Sequence, residues 1–340
     1  MPTRTCSRLF ALLAALLVMT LTLAGCGRGT PPPATVDTEE EPRIVAFSPA
    51  VAVILRDIGL EDRIVGKHAY DLVLPERVPA VGDLLGIDYE ALLRTEPTLV
   101  ITQFQSAGVP ERLAELAERR GFELRDYPLL SLDDVARAAD DLYMDLVHGG
   151  VGPPDAGSLL AGEGPVSPEV WLDVRLPGER LGQALRDRGP ASRGAGRVLL
   201  LASLDPPSAM GPGSFHHDML VRIGGAPAIT EGAAWVELDA EDVVRLAPDA
   251  IVVFAPRAPT RTPTDDDRFG EPETPSWDEI QARLGRLATL DIPALRARRV
   301  AVIDHPLGLL PSTAVGDVAD ELARVLAGWS ASGESADDAP

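Results

Sequence analysis

Apolar runs with the spacing of strands alternate with amphipathic stretches along most of the chain after residue 42. Strand-like runs open two regions, at Arg43–Phe47 (RIVAF) and Arg197–Ala202 (RVLLLA). Each run leads into a helix-like stretch that ends just before a glycine, Pro49–Ile58 in the first region and Ser214–Ile223 in the second. Alternating strands and helices predict parallel sheets that are covered by helices on both faces.

One segment of this pattern recurs later in the chain. Residues 88–101 read DYEALLRTEPTLVI and residues 239–252 read DAEDVVRLAPDAIV. In both copies the leading Asp predicts a helix N-cap, the Glu falls in the first helical turn, and the Pro ends the helix before a buried strand. The fold class that follows is α/β, with two similar lobes built on central parallel sheets.

Helical sequence rather than a short hinge lies between the two copies. Leu132–Val147 has good helical spacing, and Ser167–Arg188 is a second candidate helix. The Gly- and Pro-rich residues 149–165 between them predict a flexible insertion. A second polar insertion, Pro256–Pro275, contains three aspartates at 265–267, which predict a solvated loop rather than a cation site.

The first residues have the layout of an export signal. Arg4 and Arg8 precede an apolar run, Leu9–Leu23, that is short for a membrane span and typical of a signal peptide. The run ends in Leu-Ala-Gly-Cys, which resembles the bacterial lipobox, where the cysteine is acylated and becomes the mature N-terminus. The pattern predicts an extracytoplasmic protein that is anchored through Cys26 to a cell membrane, on its periplasmic or outer face.

Six parts follow from these patterns. They are a signal peptide (1–25), an acidic Pro-rich tether (26–42), an N-terminal α/β lobe (43–130), an inter-lobe helical segment with the insertion 149–165 (131–195), a C-terminal α/β lobe (196–328) and a disordered tail (329–340). Because Cys6 lies in the signal peptide, only Cys26 remains in the mature chain. The lobes must therefore depend on their cores rather than on a disulfide.

The charge of the chain excludes one class of partner. The sequence has 31 Lys and Arg against 52 Asp and Glu, a formal net charge of −21. Nucleic-acid binding needs basic patches, so we expect no nucleic-acid partner.

Five segments carry a family resemblance. They are RIVAFSPAVAVILRDIGLEDRIVG (43–66), VGDLLGIDYEALLRTEPTLVI (81–101), LLLASLDPPSAMGPGSFHHDMLVRIGG (199–225), DAEDVVRLAPDAIVV (239–253) and RVAVIDHPLGLLPSTAVGDVADELARVL (299–326). Their order and spacing resemble the substrate-binding proteins of ABC importers for metal chelates, namely cobalamin, haem and ferric siderophores. The resemblance spans about residues 43–328.

The resemblance implies both an architecture and a function. Two α/β lobes would be joined by one long inter-lobe helix that limits their closure, with the ligand in the cleft between them. The protein would act as a monomer without an intrinsic cofactor, capture a metal chelate, and deliver it to a permease and ATPase complex. In this family one glutamate on each lobe docks to arginines of the transporter, and Glu90 and Glu241 stand at those motif positions.

Candidate ligand contacts lie on the loops that follow the strands, because ligands of doubly wound sheets bind beyond the carboxyl ends of the strands. In the first lobe they are Ser48, Lys67, His68, Tyr70, Asp71, Gln103, Phe104 and Gln105. In the second lobe they are Ser214, Phe215, His216, Trp235 and His305. A large flat chelate needs aromatic and apolar contact with a few polar anchors, and these loops offer both.

Two alternatives remain open. Imidazole suits zinc and other transition metals, so His68, His216 and His305, together with Asp71, are candidates for a direct metal site. A membrane-tethered hydrolase or sensor is the alternative of another class. The chain has no G-x-S-x-G elbow and no Walker A loop, so we expect that it is not an enzyme.

Overall fold

The described part of the chain contains two larger β-sheets of related topology and one two-stranded sheet. The computed structural model describes residues 41–83, 85–104, 108–147, 176–186, 188–258 and 275–334. All of the helices and strands that it describes lie in one compact unit, which begins at Pro42. Among the described helices, none combines the length and the apolar character that crossing a membrane requires.

The first sheet has four parallel strands in the order β2-β1-β5-β6. The elements of this region are β1 (Ile44–Phe47), α1 (Pro49–Asp57), a 3₁₀ turn (Glu61–Arg63), β2 (Ile64–Lys67), the hairpin strands β3 (Gly82–Asp83) and β4 (Gly86–Ile87), α2 (Tyr89–Arg94), β5 (Leu99–Thr102), α3 (Glu111–Arg120) and β6 (Glu123–Asp126).

Among the described residues, three helices lie between the sheets in sequence, and one long helix comes last. They are α4 (Leu132–Leu146), α5 (Pro177–Ala184), α6 (Pro190–Arg193) and the last helix, α11 (Val315–Glu334). The elements of the second sheet region are β7 (Arg197–Leu204), β8 (Pro207–Met210), α7 (Phe215–Arg222), β9 (Ala226–Pro227), β10 (Trp235–Glu237), α8 (Ala240–Leu246), β11 (Ala250–Phe254), α9 (Trp277–Leu284), a 3₁₀ turn (Gly285–Thr289), α10 (Pro293–Arg296) and β12 (Val300–Ile303).

The second sheet repeats the strand order of the first. Strands β9, β7, β11 and β12 are parallel and adjacent in that order, which matches β2-β1-β5-β6. Two further strands depart from the prediction, because β8 and β10 extend the edge of β7 in antiparallel orientation. Trp235, which we expected on a loop, therefore begins the edge strand β10.

The internal repeat extends to single hydrogen bonds. The guanidinium of Arg43 donates to the carbonyl oxygen of Glu96 at 2.9 Å, and that of Arg197 donates to the carbonyl oxygen of Ala247 at 3.1 Å. Glu96 and Ala247 follow the two repeat helices and have φ angles of 46° and 42°. Left-handed backbone is rare for residues with a Cβ, so its presence at equivalent positions confirms that the two lobes are built alike.

Successive residues of the central strands face two different cores. In β7, Val198 and Leu200 contact the core between the two sheets, whereas Leu199 and Leu201 contact a separate core on the outer face. This alternation is the two-residue period of a strand that is covered on both sides.

One apolar core runs continuously from one sheet to the other. It contains buried side chains of β1 and β5, of β7 and β11, and of the helices α1, α4, α5, α7 and α11. Helix α4 packs into it through Ala139 and Leu142, which are 0% exposed. The long inter-lobe helix that we predicted is thus part of a core shared by both sheets.

The second predicted inter-lobe helix is shorter in its described part. Helix α5 begins at Pro177, and residues 167–175 lie outside the described residues. Proline is favourable at the first position of a helix, because the N–H that it lacks has no partner there.

Candidate functional site

Ser48 and Gln103 join the carboxyl ends of β1 and β5. The Ser48 hydroxyl donates to Oε1 of Gln103 at 2.6 Å and accepts from the backbone N–H of Ala50 at 3.1 Å. Ser48 is therefore the N-cap of α1, as predicted, and it is 3% exposed. The bond that it donates fixes the Gln103 amide at the edge of the sheet where we expect the ligand.

An aromatic cluster covers the same edge. Between ring centroids, Phe47 lies 5.5 Å from His68 and 5.9 Å from Phe104, and His68 lies 5.7 Å from Tyr70. Tyr70 is largely exposed, so its ring offers a surface to a bound molecule. Burial lowers the pKa of His68, against the raising effect of two nearby carboxylates, and this favours a neutral ring.

Lys67 and Asp71 hold the loop after β2 in place. The Lys67 ammonium donates to the carbonyl oxygens of Leu74 and Pro75 at 3.1 and 3.0 Å. Asp71 accepts from the backbone N–H of Leu74 through Oδ1 at 2.6 Å. These bonds give both residues a structural role in the described molecule.

Asp126, which the sequence analysis did not single out, positions Phe104. Its Oδ1 accepts from the Thr102 hydroxyl at 2.6 Å and from the backbone N–H of Phe104 at 2.9 Å. The only sequence signal for this role is that Asp126 ends β6, beside the carboxyl end of β5.

In the second lobe Ser214 caps α7, as its position before the helix predicts. Its hydroxyl donates to the carbonyl oxygen of Gly211 at 2.8 Å and accepts from the backbone N–H of His217 at 3.2 Å. The cap fixes the turn that leads from β8 into the helix carrying Phe215 and His216.

His216 lies inside the second lobe. Its Nε2 is 2.7 Å from the carbonyl oxygen of Gly308, and its ring packs against Phe215, Phe254 and Trp235 at centroid distances of 3.8, 4.8 and 6.4 Å. Because a carbonyl oxygen only accepts, the Nε2 carries the proton and Nδ1 is the bare nitrogen. His216 is 0% exposed, so in this structure its ring cannot touch a ligand at the surface, where we expected it to be a ligand contact.

Burial also sets the charge of His216. Removal from water lowers its pKa to about 4, although the bond to Gly308 acts in the opposite direction. The ring is therefore neutral at physiological pH and packs as an aromatic group beside Phe254.

The last predicted contact, His305, follows β12. Its Nδ1 accepts from the backbone N–H of Leu307 at 3.2 Å, and burial lowers its pKa. The ring thus stabilises the turn that leads toward α11.

The structure adds a buried ion pair beside His305. The Nε of Arg257 lies 3.1 Å from Oδ2 of Asp304, and the Arg257 backbone N–H donates to the Asp304 carbonyl oxygen at 3.0 Å. Their side chains are 18% and 7% exposed. The sequence analysis placed Arg257 in a polar insertion, and only the pairing of β11 with β12 brings it to the carboxyl edge of the second sheet.

The three histidines of the zinc alternative do not form a cluster. Within the described ranges, no group of three His, Cys, Asp or Glu residues is arranged to hold a metal ion. Each ring already uses one nitrogen in a hydrogen bond to the backbone. His68 and His305 accept from an N–H of their own loops, and His216 donates to Gly308.

Glu90 and Glu241 lie on the surface in the first turns of α2 and α8, as predicted. The Glu90 side chain is 84% exposed and is 3.2 Å from Arg94 in the next turn. Glu241 is also exposed, and Asp239 caps its helix. The two repeat-related carboxylates are thus accessible to a partner.

Some predicted features lie outside the described residues. They are Cys26, Gln105, the insertion 149–165 and the aspartates at 265–267.

The burial of the His216 imidazole can be tested through the pH dependence of the free energy of unfolding. Below about pH 6.5 the unfolded chain takes up a proton on His216, whereas the folded chain takes it up only near pH 4. The free energy of unfolding should therefore fall across this window, and it should fall less in His216→Gln, which keeps a donor for Gly308. Urea unfolding of both proteins at pH 7.5 and pH 5 measures the difference. An equal loss of stability in both would contradict the assignment.

The chain is also similar in sequence to a known protein. No family model matches the chain. A curated protein of Bacillus subtilis, the uncharacterized ABC transporter substrate-binding lipoprotein YvrC, is 24% identical over 263 residues, which is 70% of this chain and 78% of that protein.

Three solved structures share the fold. The periplasmic heme-binding protein HutB of Vibrio cholerae has a TM-score of 0.59 and 17% identity, over 84% of this chain and 99% of that one. The periplasmic vitamin B12-binding protein BtuF of Vibrio cholerae has a TM-score of 0.55 and 18% identity, over 84% of this chain and 97% of that one. The periplasmic heme-binding protein RhuT of Roseiflexus sp. RS-1 has a TM-score of 0.54 and 21% identity, over 86% of this chain and 100% of that one. The chain therefore has the two-lobed α/β fold of periplasmic binding proteins, as its motifs predict.

Proposed function

We propose that the chain is the substrate-binding lipoprotein of an ABC importer and that it binds a metal chelate between its two lobes. The observation that carries the proposal is a pair of aromatic clusters, one that covers the carboxyl ends of β1 and β2 and one that packs on Phe254 at the carboxyl end of β11. Phe47, His68 and Tyr70 form one, and Phe215 and Trp235 belong to the other. Ligands of parallel α/β sheets bind at such edges.

The chemistry of these edges favours a large flat ligand. Tyr70 and Trp235 are both more than half exposed, at 60% and 52%, while the rings behind them are buried. Exposed aromatic faces on an ordered support bind planar macrocycles by apolar contact. The Arg257–Asp304 pair and the Gln103 amide supply the few polar anchors that fix the orientation of such a ligand.

The similar proteins support this choice of ligand class. Two of the solved structures are named as heme-binding proteins and one as a vitamin B12-binding protein. Haem and cobalamin are both metal chelates of large planar macrocycles, and we infer that the ligand of this chain belongs to that class.

A ligand screen tests the proposal. Haemin, cyanocobalamin, a ferric hydroxamate and Zn²⁺ are compared by thermal shift, and one chelate at 100 times its dissociation constant should add about 2.7 kcal/mol to the free energy of unfolding. Tyr70→Ala and Trp235→Ala should both weaken its binding, whereas Val147→Ala, at an exposed position at the end of α4, should not. Stabilisation by zinc alone would instead favour the direct metal site.

We further propose that Cys26 carries a lipid anchor, as the lipobox resemblance implies and as the name of the Bacillus subtilis relative indicates for that protein. Cys26→Ser should release the protein from membranes or leave it unprocessed. Membrane fractionation and mass spectrometry of the N-terminal peptide measure this, and a mutant that still carries acyl chains would contradict it.

We propose that Glu90 and Glu241 are the charged contacts to the permease. Both lie in the first turns of helices that are connected to the carboxyl edge of their sheets. Before the first helix, the backbone N–H of Asp88 bonds to Val81, and the next residue, Gly82, packs on Phe47. Before the second, the backbone N–H of Leu238 bonds to Pro207, which pairs with Leu204 at the end of β7. Rim charges mainly set the encounter rate and the register of a complex.

Reversal of both charges tests this role. Glu90→Lys with Glu241→Lys should lower the association rate with the permease–ATPase complex at least about tenfold and leave chelate affinity unchanged. Asp265→Lys with Asp266→Lys is the charge-matched control. Equal rates for the two double variants would show that only net charge matters.

A further inference from the structure

A buried histidine holds the turn that displays Tyr70. The Nδ1 of His68 accepts from the backbone N–H of Tyr70 at 3.2 Å, and the His68 carbonyl oxygen accepts from the N–H of Asp71 at 3.0 Å. The N–H of Ala69 donates to the carbonyl oxygen of Gly82 at 2.8 Å, which ties the turn to the β3–β4 hairpin. His68 is 5% exposed and Tyr70 is 60% exposed, so a buried ring fixes the backbone of an exposed one.

A second histidine makes the same turn in the other lobe. The Nδ1 of His305 accepts from the N–H of Leu307 at 3.2 Å, and the His305 carbonyl oxygen accepts from the N–H of Gly308 at 2.8 Å. This turn supports Trp235, because the Gly308 carbonyl oxygen bonds to Nε2 of His216 and the His216 ring packs against Trp235. Each of the two exposed rings that we propose as ligand contacts is therefore connected to a histidine turn.

Both turns require a neutral imidazole. An Nδ1 that accepts a hydrogen bond carries no proton, so in both rings the proton lies on Nε2. A second proton, taken from solvent, would place an N–H on Nδ1 that faces the N–H of Tyr70 or Leu307. Two donors cannot bond to each other, so protonation removes the hydrogen bond that closes the turn.

The surroundings of His68 keep its ring neutral at pH 7.5. Burial lowers the pKa of His68, against the carboxylates of Asp83 on β3 and of Asp71 in the same loop, which raise it. The other rings that pack on it, Phe47 at the end of β1 and Tyr70, are uncharged at this pH. The two carboxylates would stabilise an imidazolium, so the ring can take up a proton when the pH falls.

His305 faces charged groups from four parts of the second half of the core. Burial is the largest effect and lowers the pKa of His305. Asp317 on α11 raises it, Arg257 after β11 lowers it, Asp304 after β12 raises it, and Arg56 on α1 lowers it. The ring is therefore also neutral at pH 7.5, with its turn closed.

We propose that His68 and His305 are positioning residues whose turns hold Tyr70 and Trp235 against the chelate, so that proton uptake by either imidazole weakens ligand binding. This inference rests on the proposed function, and it gives neither histidine a direct contact with the ligand or its metal. Since the ligand binds best when both rings are neutral, affinity is full above the pKa of each ring and falls below it. Each pKa lies below 6.5, and each histidine should raise the dissociation constant by up to about tenfold per pH unit below its pKa.

Asparagine separates the turn from the charge. Its Oδ1 occupies the place of the imidazole Nδ1 and accepts from the N–H two residues further on, as in an Asx turn, but it does not titrate. The same loop already contains such a bond, from the N–H of Val73 to Oδ1 of Asp71 at 3.0 Å. The control is His217→Asn, because neither ring nitrogen of His217 has a hydrogen-bond partner within the described residues.

Calorimetric titrations of the full-length protein with cyanocobalamin and with haemin, at pH 7.5, 6.5 and 5, measure the effect. From pH 7.5 to pH 5 the affinity of the wild type and of His217→Asn should fall at least about tenfold, and that of His68→Asn with His305→Asn less than about twofold. At pH 7.5, His68→Asn should bind at least about fivefold more tightly than His68→Leu, which lacks the acceptor. Circular dichroism at each pH confirms that the proteins are folded.

The turns can also be followed without a ligand. In ¹H–¹⁵N spectra of the full-length protein, the amide resonances of Tyr70 and Leu307 should shift between pH 7.5 and 5. Their midpoints should equal those of the ring C–H protons of His68 and His305. The shifts should be absent from the corresponding asparagine variants.

The outcomes distinguish this inference from the function on which it rests. Equal pH dependence in the wild type and in His68→Asn with His305→Asn, or amides that do not titrate with the histidines, would overturn the inference and leave chelate binding standing. Equal losses in His68→Asn and His68→Leu at pH 7.5 would show that the His68 ring contacts the ligand itself, which also overturns it. If the amides titrate but the wild type binds neither chelate, the proposed function fails and the coupling to a ligand fails with it.

Discussion

The apolar core that runs between the two sheets is the constraint on which the rest of the structure depends. Each central strand places every second side chain into it, and α4 packs in it with Ala139 and Leu142 fully buried. Because close-packed interiors resist sliding, two sheets that share such a core act as one framework. The functional loops at the carboxyl edges are therefore held by a rigid scaffold.

The same framework explains where the chemistry lies. Parallel strands bring the ends of β1 and β5, and of β7 and β11, to common edges, and there the rings of Phe47 and Phe254 support the surfaces around His68 and His216. The repeat helices begin near these edges, so their first turns can expose carboxylates next to a bound ligand. In the function that we propose, capture and docking depend on one geometric rule, applied twice.

Much of the fold could be predicted from the sequence, because the helix and strand of each repeat are specified by residues within the repeat. An Asp cap, an early Glu and a Pro stop are local signals, and both copies formed the helix and strand that they predict. Contacts between residues that are far apart in the sequence could not be predicted. Nothing local indicates that His216 is buried against Gly308, that Lys67 bonds to loop carbonyls, or that β8 and β10 join the second sheet.

The central claim, that the shared core keeps the two lobes at a fixed separation, is tested by a spin-label distance. The chain from Glu41 onward contains no cysteine, so Glu118→Cys on α3 with Gln281→Cys on α9 places one label on each lobe. We predict a single narrow distance distribution by double electron–electron resonance, nearly unchanged when haemin or cyanocobalamin is bound. A broad distribution, or a second distance that appears on binding, would contradict the account.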